Sequence, residues 1–256
     1  MMGQDGRMPD VHEPRLRRLA DPESLGRAAA SDIAGALIRR LDTRPEVRMI
    51  LASAPSQEAT LRSLAGHPGI DWPRVTAFHM DEYLGLDPRA PQRFGTWLCE
   101  VLLDRVPIGT AHLIEPGGDP LATAEEYAGL LASAPVDLVC MGIGVNGHLA
   151  FNDPPADLDD PALVKIVELD EVSRRQQVDD GCFADLAEVP RRAITLTVPA
   201  LLSAAEVYCM VPGARKRAAV TAALRGPIDG RLPASALRTH PHCTIYVDEE
   251  SAPDVP

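Results

Sequence analysis

The stretch Val136-Asp137-Leu138-Val139-Cys140-Met141-Gly142-Ile143-Gly144-Val145-Asn146-Gly147-His148-Leu149-Ala150-Phe151-Asn152-Asp153-Pro154 runs from an apolar segment into a glycine-rich turn carrying two acid-base groups. Val136, Leu138, Val139, Cys140 and Met141 have the nearly unbroken hydrophobicity of a strand buried on both faces, as in a parallel sheet. Gly142, Gly144 and Gly147 then allow tight turns and close approach of a ligand to the backbone. His148 exchanges protons near neutral pH, and Asp153 can orient or activate it. A glycine-rich turn with a single His is also an ordinary structural element, so the stretch speaks first to fold and only then to function.

Upstream of it, strands and helices alternate. Asp21 or Ser24 caps a helix whose Leu25, Ala28, Ile33, Leu37 and Leu41 recur at helical spacing. Val47 to Ala52 reads as a buried strand, Ser56 to Leu64 as a helix and Val75 to Met80 as a second strand. Helices near Thr96 to Leu103 and Ala122 to Leu131 precede the strand into Gly142, and further strands are expected at Leu163 to Leu169, Ile194 to Val198, Val207 to Val211 and Thr244 to Val247. The rhythm predicts an α/β chain: a three-layer, Rossmann-like fold with a mainly parallel central sheet. One domain over 21–248 is expected, with a polar segment at 1–20 on the surface and an acidic, Pro-rich tail at 249–256.

Composition narrows the function. The net charge of −12 argues against nucleic acid or an anionic membrane as partner, while leaving room for a basic pocket that takes phosphate. No run approaches the roughly 18 to 20 apolar residues of a membrane span, and the first residues lack a signal-peptide pattern, so a cytoplasmic protein is expected. Cys99, Cys140, Cys182, Cys209 and Cys243 are widely spaced and show no zinc-site or redox pattern. They read as reduced thiols, and Cys140 and Cys209 as core residues. An acidic exterior leaves a homo-oligomer open.

Ligands of such sheets bind beyond the carboxyl ends of the strands, and four of those ends carry polar groups. After the first strand, Ser53, Ala54, Ser56 and Gln57 form a loop entering a helix, where free amides and hydroxyls can face an anion; a plain Ser cap is the competing reading. After the second, Asp81, Glu82 and Tyr83 follow one another. Neighbouring strand residues point to opposite faces, so one carboxylate can address a ligand while the other anchors the loop, unless the pair is a solvated turn. After the third lie Asn146, His148 and Asp153. Lys216, just past Gly213, can add a positive charge for a phosphate or be an ordinary surface lysine.

MDEYLGL at 80–86 and GIGVNGHLAFNDP at 142–154 together resemble the glucosamine-6-phosphate deaminase (isomerase) family, whose superfamily includes the 6-phosphogluconolactonases. TLTVPALLSAAEVYCMVPGARKRAAV at 195–220 and RTHPHCTIYVDEE at 238–250 resemble its later strand-helix units, so the likeness spans most of the chain. The resemblance implies an amino-sugar 6-phosphate as substrate and no metal or organic cofactor in catalysis. It assigns His148 to sugar-ring opening with Asp153 as its orienting partner, Asp81 to proton transfer between C2 and C1, and the Ser53 to Gln57 loop with Lys216 to the phosphate. Gly144 and Gly147 fall in its substrate loop.

The chain departs from the pattern. Asn146 stands where several deaminases have Asp, and an amide is no base. Asp153 is a methylene shorter than the family's usual Glu, which leaves room for a bridging water. The phosphate-binding Arg has no certain counterpart; Arg174 or Arg175 is the expected replacement. The leading expectation is isomerising deamination of glucosamine 6-phosphate to fructose 6-phosphate and ammonia. The alternatives are a lyase that dehydrates an N-acetylated amino-sugar 6-phosphate across C2–C3, a lactonase, and a non-catalytic sugar-phosphate sensor.

Overall fold

The structure, a computed structural model, describes residues 10–253. Its first half comprises β1 (Arg15–Arg18), α1 (Pro22–Leu41), β2 (Val47–Leu51), α2 (Glu58–Ala65), β3 (Val75–His79), β4 (Asp81–Tyr83), α3 (Phe94–Val101), β5 (Thr110–His112) and α4 (Pro120–Ala132). The second half adds β6 (Leu138–Met141), β7 (Val164–Glu168), α5 (Glu171–Asp179), β8 (Arg192–Leu196), α6 (Val198–Leu202), β9 (Glu206–Val211), α7 (Arg217–Arg225) and β10 (Cys243–Val247). Local chemistry sets the helix starts: the Asp21 carboxylate accepts from the Ser24 amide at 2.7 Å and Pro22 opens α1, where its missing N–H costs nothing.

A seven-stranded sheet in the order β1-β10-β9-β6-β2-β3-β5 forms the middle layer, and each of its pairings is parallel. Strand alternation divides the apolar residues between two cores. Met49 and Leu51 of β2 join Leu25, Ile33 and Leu37 of α1 and Leu61 of α2 on one side; Ile50 of β2 joins Tyr127 of α4 and Val220 of α7 on the other. The chain is thus the three-layer α/β fold that the strand-helix rhythm predicts. β2 and β6 are neighbours, yet from β2 the chain proceeds to β3 and β5, and from β6 it proceeds to β9 and β10 on the opposite flank. Their carboxyl ends therefore border the crevice where strand order reverses.

Three expectations change. The supposed surface segment contains β1, which extends the sheet by pairing Arg15–Arg18 with Thr244–Val247; its three arginines suit an edge strand. The strands at Leu163 to Leu169 and Ile194 to Val198 lie outside the central sheet. β7 and β8 form, with β4, a separate antiparallel sheet in the order β4-β8-β7, and Val198 already begins α6. The expected tail is anchored at its start: Ser251 and Ala252 are buried, and the Ser251 amide donates to the Asp248 carboxylate at 2.7 Å. Residues 1–9 and 254–256 of the two terminal segments lie outside the described residues. Among the described residues no helix is long and apolar enough to cross a membrane.

Candidate active site

An open cleft of about 510 Å³ lies over the carboxyl ends of β2, β3, β6 and β9. Ser53, Ala54, Ser56 and Gln57 line it from the β2 end, Asp81 from the β3 end, Gly144 and His148 from the β6 end, and Lys216 from the β9 end. The four polar strand ends do converge. Gln57 is a strut as well as a wall: its amide nitrogen donates to the Met210 carbonyl at 3.2 Å, tying the β2 loop to β9. The Ser53 hydroxyl is buried in that wall without a hydrogen-bond partner from the protein, an arrangement that leaves its capacity for a ligand. Burial brings the Lys216 ammonium down to about 8.

The adjacent carboxylates of β4 diverge. Asp81 lines the cleft, and burial, with Glu82 alongside, pushes its carboxyl well above the ordinary carboxylate range. Glu82 points the other way and accepts from the amides of Tyr83 at 2.9 Å, Phe94 at 3.1 Å and Gly95 at 3.0 Å. It closes the amino end of α3 and lies 3.5 Å from Arg93, so it anchors the loop and does not line the cleft. Tyr83 does not line it either. Its ring is enclosed by Phe94, Phe151 and Phe183, with its hydroxyl buried and unpartnered.

The β6 loop is a folded hydrogen-bond network. Gly144 is a site of close approach: a Cβ there would lie 2.2 Å from His148 Nε2. Gly147 adopts φ +85°, and a Cβ on it would meet Leu232 at 2.2 Å. Asn146 accepts from the His148 amide at 3.1 Å and donates to Asp153 at 3.3 Å, so it clamps the loop at both ends. The Asp153 carboxylate also accepts from the Asp170 amide at 3.0 Å and from the Ser173 hydroxyl, and lies 3.3 Å from His148 Nδ1. Burial works to raise its pKa, but His148, Ser173 and the Asp170 amide outweigh it and hold the carboxyl at about 2.

α5 brings the residues that sequence reasoning missed. Ser173, Gln176 and Gln177 share one face at i, i+3 and i+4; Gln176 and Gln177 line the cleft, and the Gln176 carbonyl oxygen accepts from the Val145 amide at 2.9 Å. Arg174 and Arg175 fall off that face. Arg174 turns to the Val189 carbonyl at 2.8 Å and Arg175 to Glu171 at 2.7 Å, so neither replaces a phosphate-binding arginine in this structure. The helical spacing was the available signal, masked by the charge of the two arginines.

β8 joins the two halves. Thr195 stands opposite Asp81 in the β4–β8 ladder, and its hydroxyl accepts from the Phe151 amide at 3.1 Å, while Asn152 donates to the Leu196 carbonyl at 2.8 Å. Among the described residues no group of His, Cys, Asp and Glu is placed to hold a metal ion.

Known proteins resemble the chain in sequence and in fold. The profile of the glucosamine-6-phosphate isomerases/6-phosphogluconolactonase family matches residues 20–246. The chain belongs to this family. It is 34% identical over 232 residues to a glucosamine-6-phosphate deaminase of an Arthrobacter species, covering 88% of this chain and 86% of that protein. A glucosamine-6-phosphate deaminase of Rhodopirellula baltica is 32% identical over 234 residues, covering 88% and 91%. Among solved structures, a monomeric glucosamine-6-phosphate deaminase superposes with a TM-score of 0.84 at 25% identity, covering 93% of this chain and 98% of that one. A 6-phosphogluconolactonase from Shewanella baltica shares the fold at a TM-score of 0.78 and 20% identity, covering 93% and 99%.

Proposed function

We propose that the chain is an isomerising deaminase that converts glucosamine 6-phosphate to fructose 6-phosphate and ammonia. The observation that carries this reading is the pairing, in one cleft, of a carboxylate poised to be a base with a histidine backed by an ionised carboxylate, beside a serine loop and a buried lysine suited to a phosphate. The relatives named as glucosamine-6-phosphate deaminases support it.

In this reading Ser53, Ser56 and Lys216 hold the phosphate, and Ala54 and Gly144 let the sugar approach the backbone, while Gly147, packed under Leu232, shapes the turn and does not line the cleft. His148 moves the proton from the anomeric hydroxyl to the ring oxygen, opening the ring to the aldehyde. The carbonyl acidifies the C2 hydrogen; Asp81 removes it to give an enolamine and returns the proton to C1, leaving an imine at C2. Water adds to C2, and the C2–N bond breaks to release ammonia and leave the ketone. A lactone hydrolase needs no such C2 base, and Asp81 would be idle.

The test incubates the purified protein separately with glucosamine 6-phosphate, its N-acetyl form and 6-phosphogluconolactone. Ammonia and fructose 6-phosphate are expected in equal amounts from the first alone. Ultraviolet absorbance of an unsaturated sugar phosphate from the second, acid release from the third, or binding without turnover would replace the deaminase by the lyase, the lactonase or the sensor.

A further inference from the structure

Asp153 reaches His148 both directly and through a third side chain. The Ser173 oxygen lies 2.8 Å from His148 Nδ1 and is hydrogen-bonded to Asp153 Oδ1, and the direct Nδ1 to Oδ1 separation is 3.3 Å. Ser173 is completely buried, on the face of α5 that meets the cleft, and Asp153 also holds the Asn146 amide and the Asp170 amide.

Proton counting orders the three groups. A hydroxyl has one proton to give and lone pairs to receive another. The ionised Asp153 carboxylate can only accept, so this hydrogen bond takes the Ser173 proton. The Ser173 oxygen is then an acceptor toward His148, and the hydrogen between them must sit on Nδ1. The opposite tautomer would set a bare Nδ1 against an oxygen whose proton is already committed, and against a carboxylate oxygen. Both contacts would be repulsive.

We infer that Ser173 is a positioning residue: its hydroxyl relays Asp153 to His148, fixes the neutral imidazole as the Nδ1–H tautomer and leaves Nε2 bare at the cleft wall beside Gly144. Resting on the ring-opening role given to His148 above, this relay readies Nε2 to accept the anomeric proton. As the ring takes that proton, the positive charge formed is opposed by Asp153 through the serine. The shorter reach of Asp153 and the hydroxyl of Ser173 form one device, with the hydroxyl standing where a bridging water was expected.

The experiment reads the tautomer directly. In full-length protein labelled with ¹⁵N-histidine, long-range proton–nitrogen spectra, with the His148 signals assigned by their loss in His148→Gln, are expected to show a protonated Nδ1 and an unprotonated Nε2 for the neutral ring. Ser173→Ala should weaken this preference and lower kcat/KM by about 10- to 100-fold, less than the roughly 10²–10⁴ that a positioned acid-base group itself supplies. Ser173→Ala with Asp153→Glu, which moves the carboxylate one methylene toward the vacated hydroxyl position, should recover part of both losses. An Nε2–H tautomer in the wild-type protein, a measurement that needs no variant to fold, overturns the relay. An unchanged tautomer in folded Ser173→Ala also overturns it. The spectrum does not depend on turnover, so an Nδ1–H tautomer in a protein that fails to deaminate glucosamine 6-phosphate leaves the relay standing and removes the functional reading alone.

Discussion

Asp81 and Asp153 are both aspartates in the walls of one site, and their surroundings drive them in opposite directions. Asp81 is buried beside another carboxylate, and its pKa rises; Asp153 is enclosed by donors, and its pKa falls to about 2. Desolvation acts on both in the same sense, so the difference is made by the neighbours: a like charge, Glu82, beside Asp81, and hydrogen bonds together with His148 around Asp153. A carboxylate that gives up its proton reluctantly is a strong base once ionised, which suits C–H abstraction; one that stays ionised is a fixed charge, which suits the orientation of a histidine.

The largest effect expected from breaking this contrast is on turnover. Asp81→Asn should lower kcat by at least about 10²–10⁴-fold in an ammonia-release assay. The same variant should be more thermally stable than wild type near neutral pH. A carboxyl whose folded pKa lies above its unfolded value costs stability at pH above the unfolded value, and that cost disappears in acid; the gain in Tm should therefore vanish toward pH 3, near or below about 3.9. A loss of stability at neutral pH would contradict the assignment of Asp81 as the strained carboxylate.

The phosphate end sharpens the contrast with a third titrating group. Lys216 must be charged to hold a phosphate, and burial brings its ammonium down to about 8, so KM for glucosamine 6-phosphate should climb as pH passes through about 8. Lys216→Met should raise KM by about 10- to 100-fold, as the loss of a charged hydrogen bond worth about 1.5–3 kcal/mol requires, and flatten that alkaline rise. An alkaline limb that persists unchanged in the variant would assign it to another group.

A smaller effect is expected from the other aspartate. With its folded pKa at about 2, Asp153 contributes stability that is present above the unfolded value and is lost as pH falls through the folded one. Asp153→Asn should cost about 2 kcal/mol at pH 7, seen by denaturant unfolding, and progressively less toward pH 2. The smallest effect concerns Ala150, which holds φ +50° between His148 and Phe151. Ala150→Gly should stabilise the protein by less than about 1 kcal/mol, since a left-handed conformation costs a side chain and not a glycine.

Legibility in the sequence followed the same division. Asp81 and the Ser53 to Gln57 loop directly follow apolar runs and His148 lies in the glycine-rich turn after a third, and the rule that ligands sit beyond parallel strands is enough to gather them. The central strands are legible because burial on both faces leaves few polar letters. β1 is not, because an edge strand with three arginines in four residues reads as surface, and the separate sheet of β7 and β8 is not legible because alternation of strands and helices does not say which sheet a strand joins. α5 was read by charge, which drew attention to Arg174 and Arg175, when the face carrying Ser173, Gln176 and Gln177 was the one turned inward.

The short ladder between β4 and β8 turns distance into counting. Asp81 sits opposite Thr195, and Thr195 carries the loop that ends in Asp153, so the gap between the base and the histidine is set by an integer number of residues. A deletion of one residue in β8 would not narrow that gap slightly; it would turn alternate side chains to the other face and remove Thr195 from its place altogether. Variation that tunes this family member in small steps must therefore come from α5 and the loops, while the ladder admits only intact or broken.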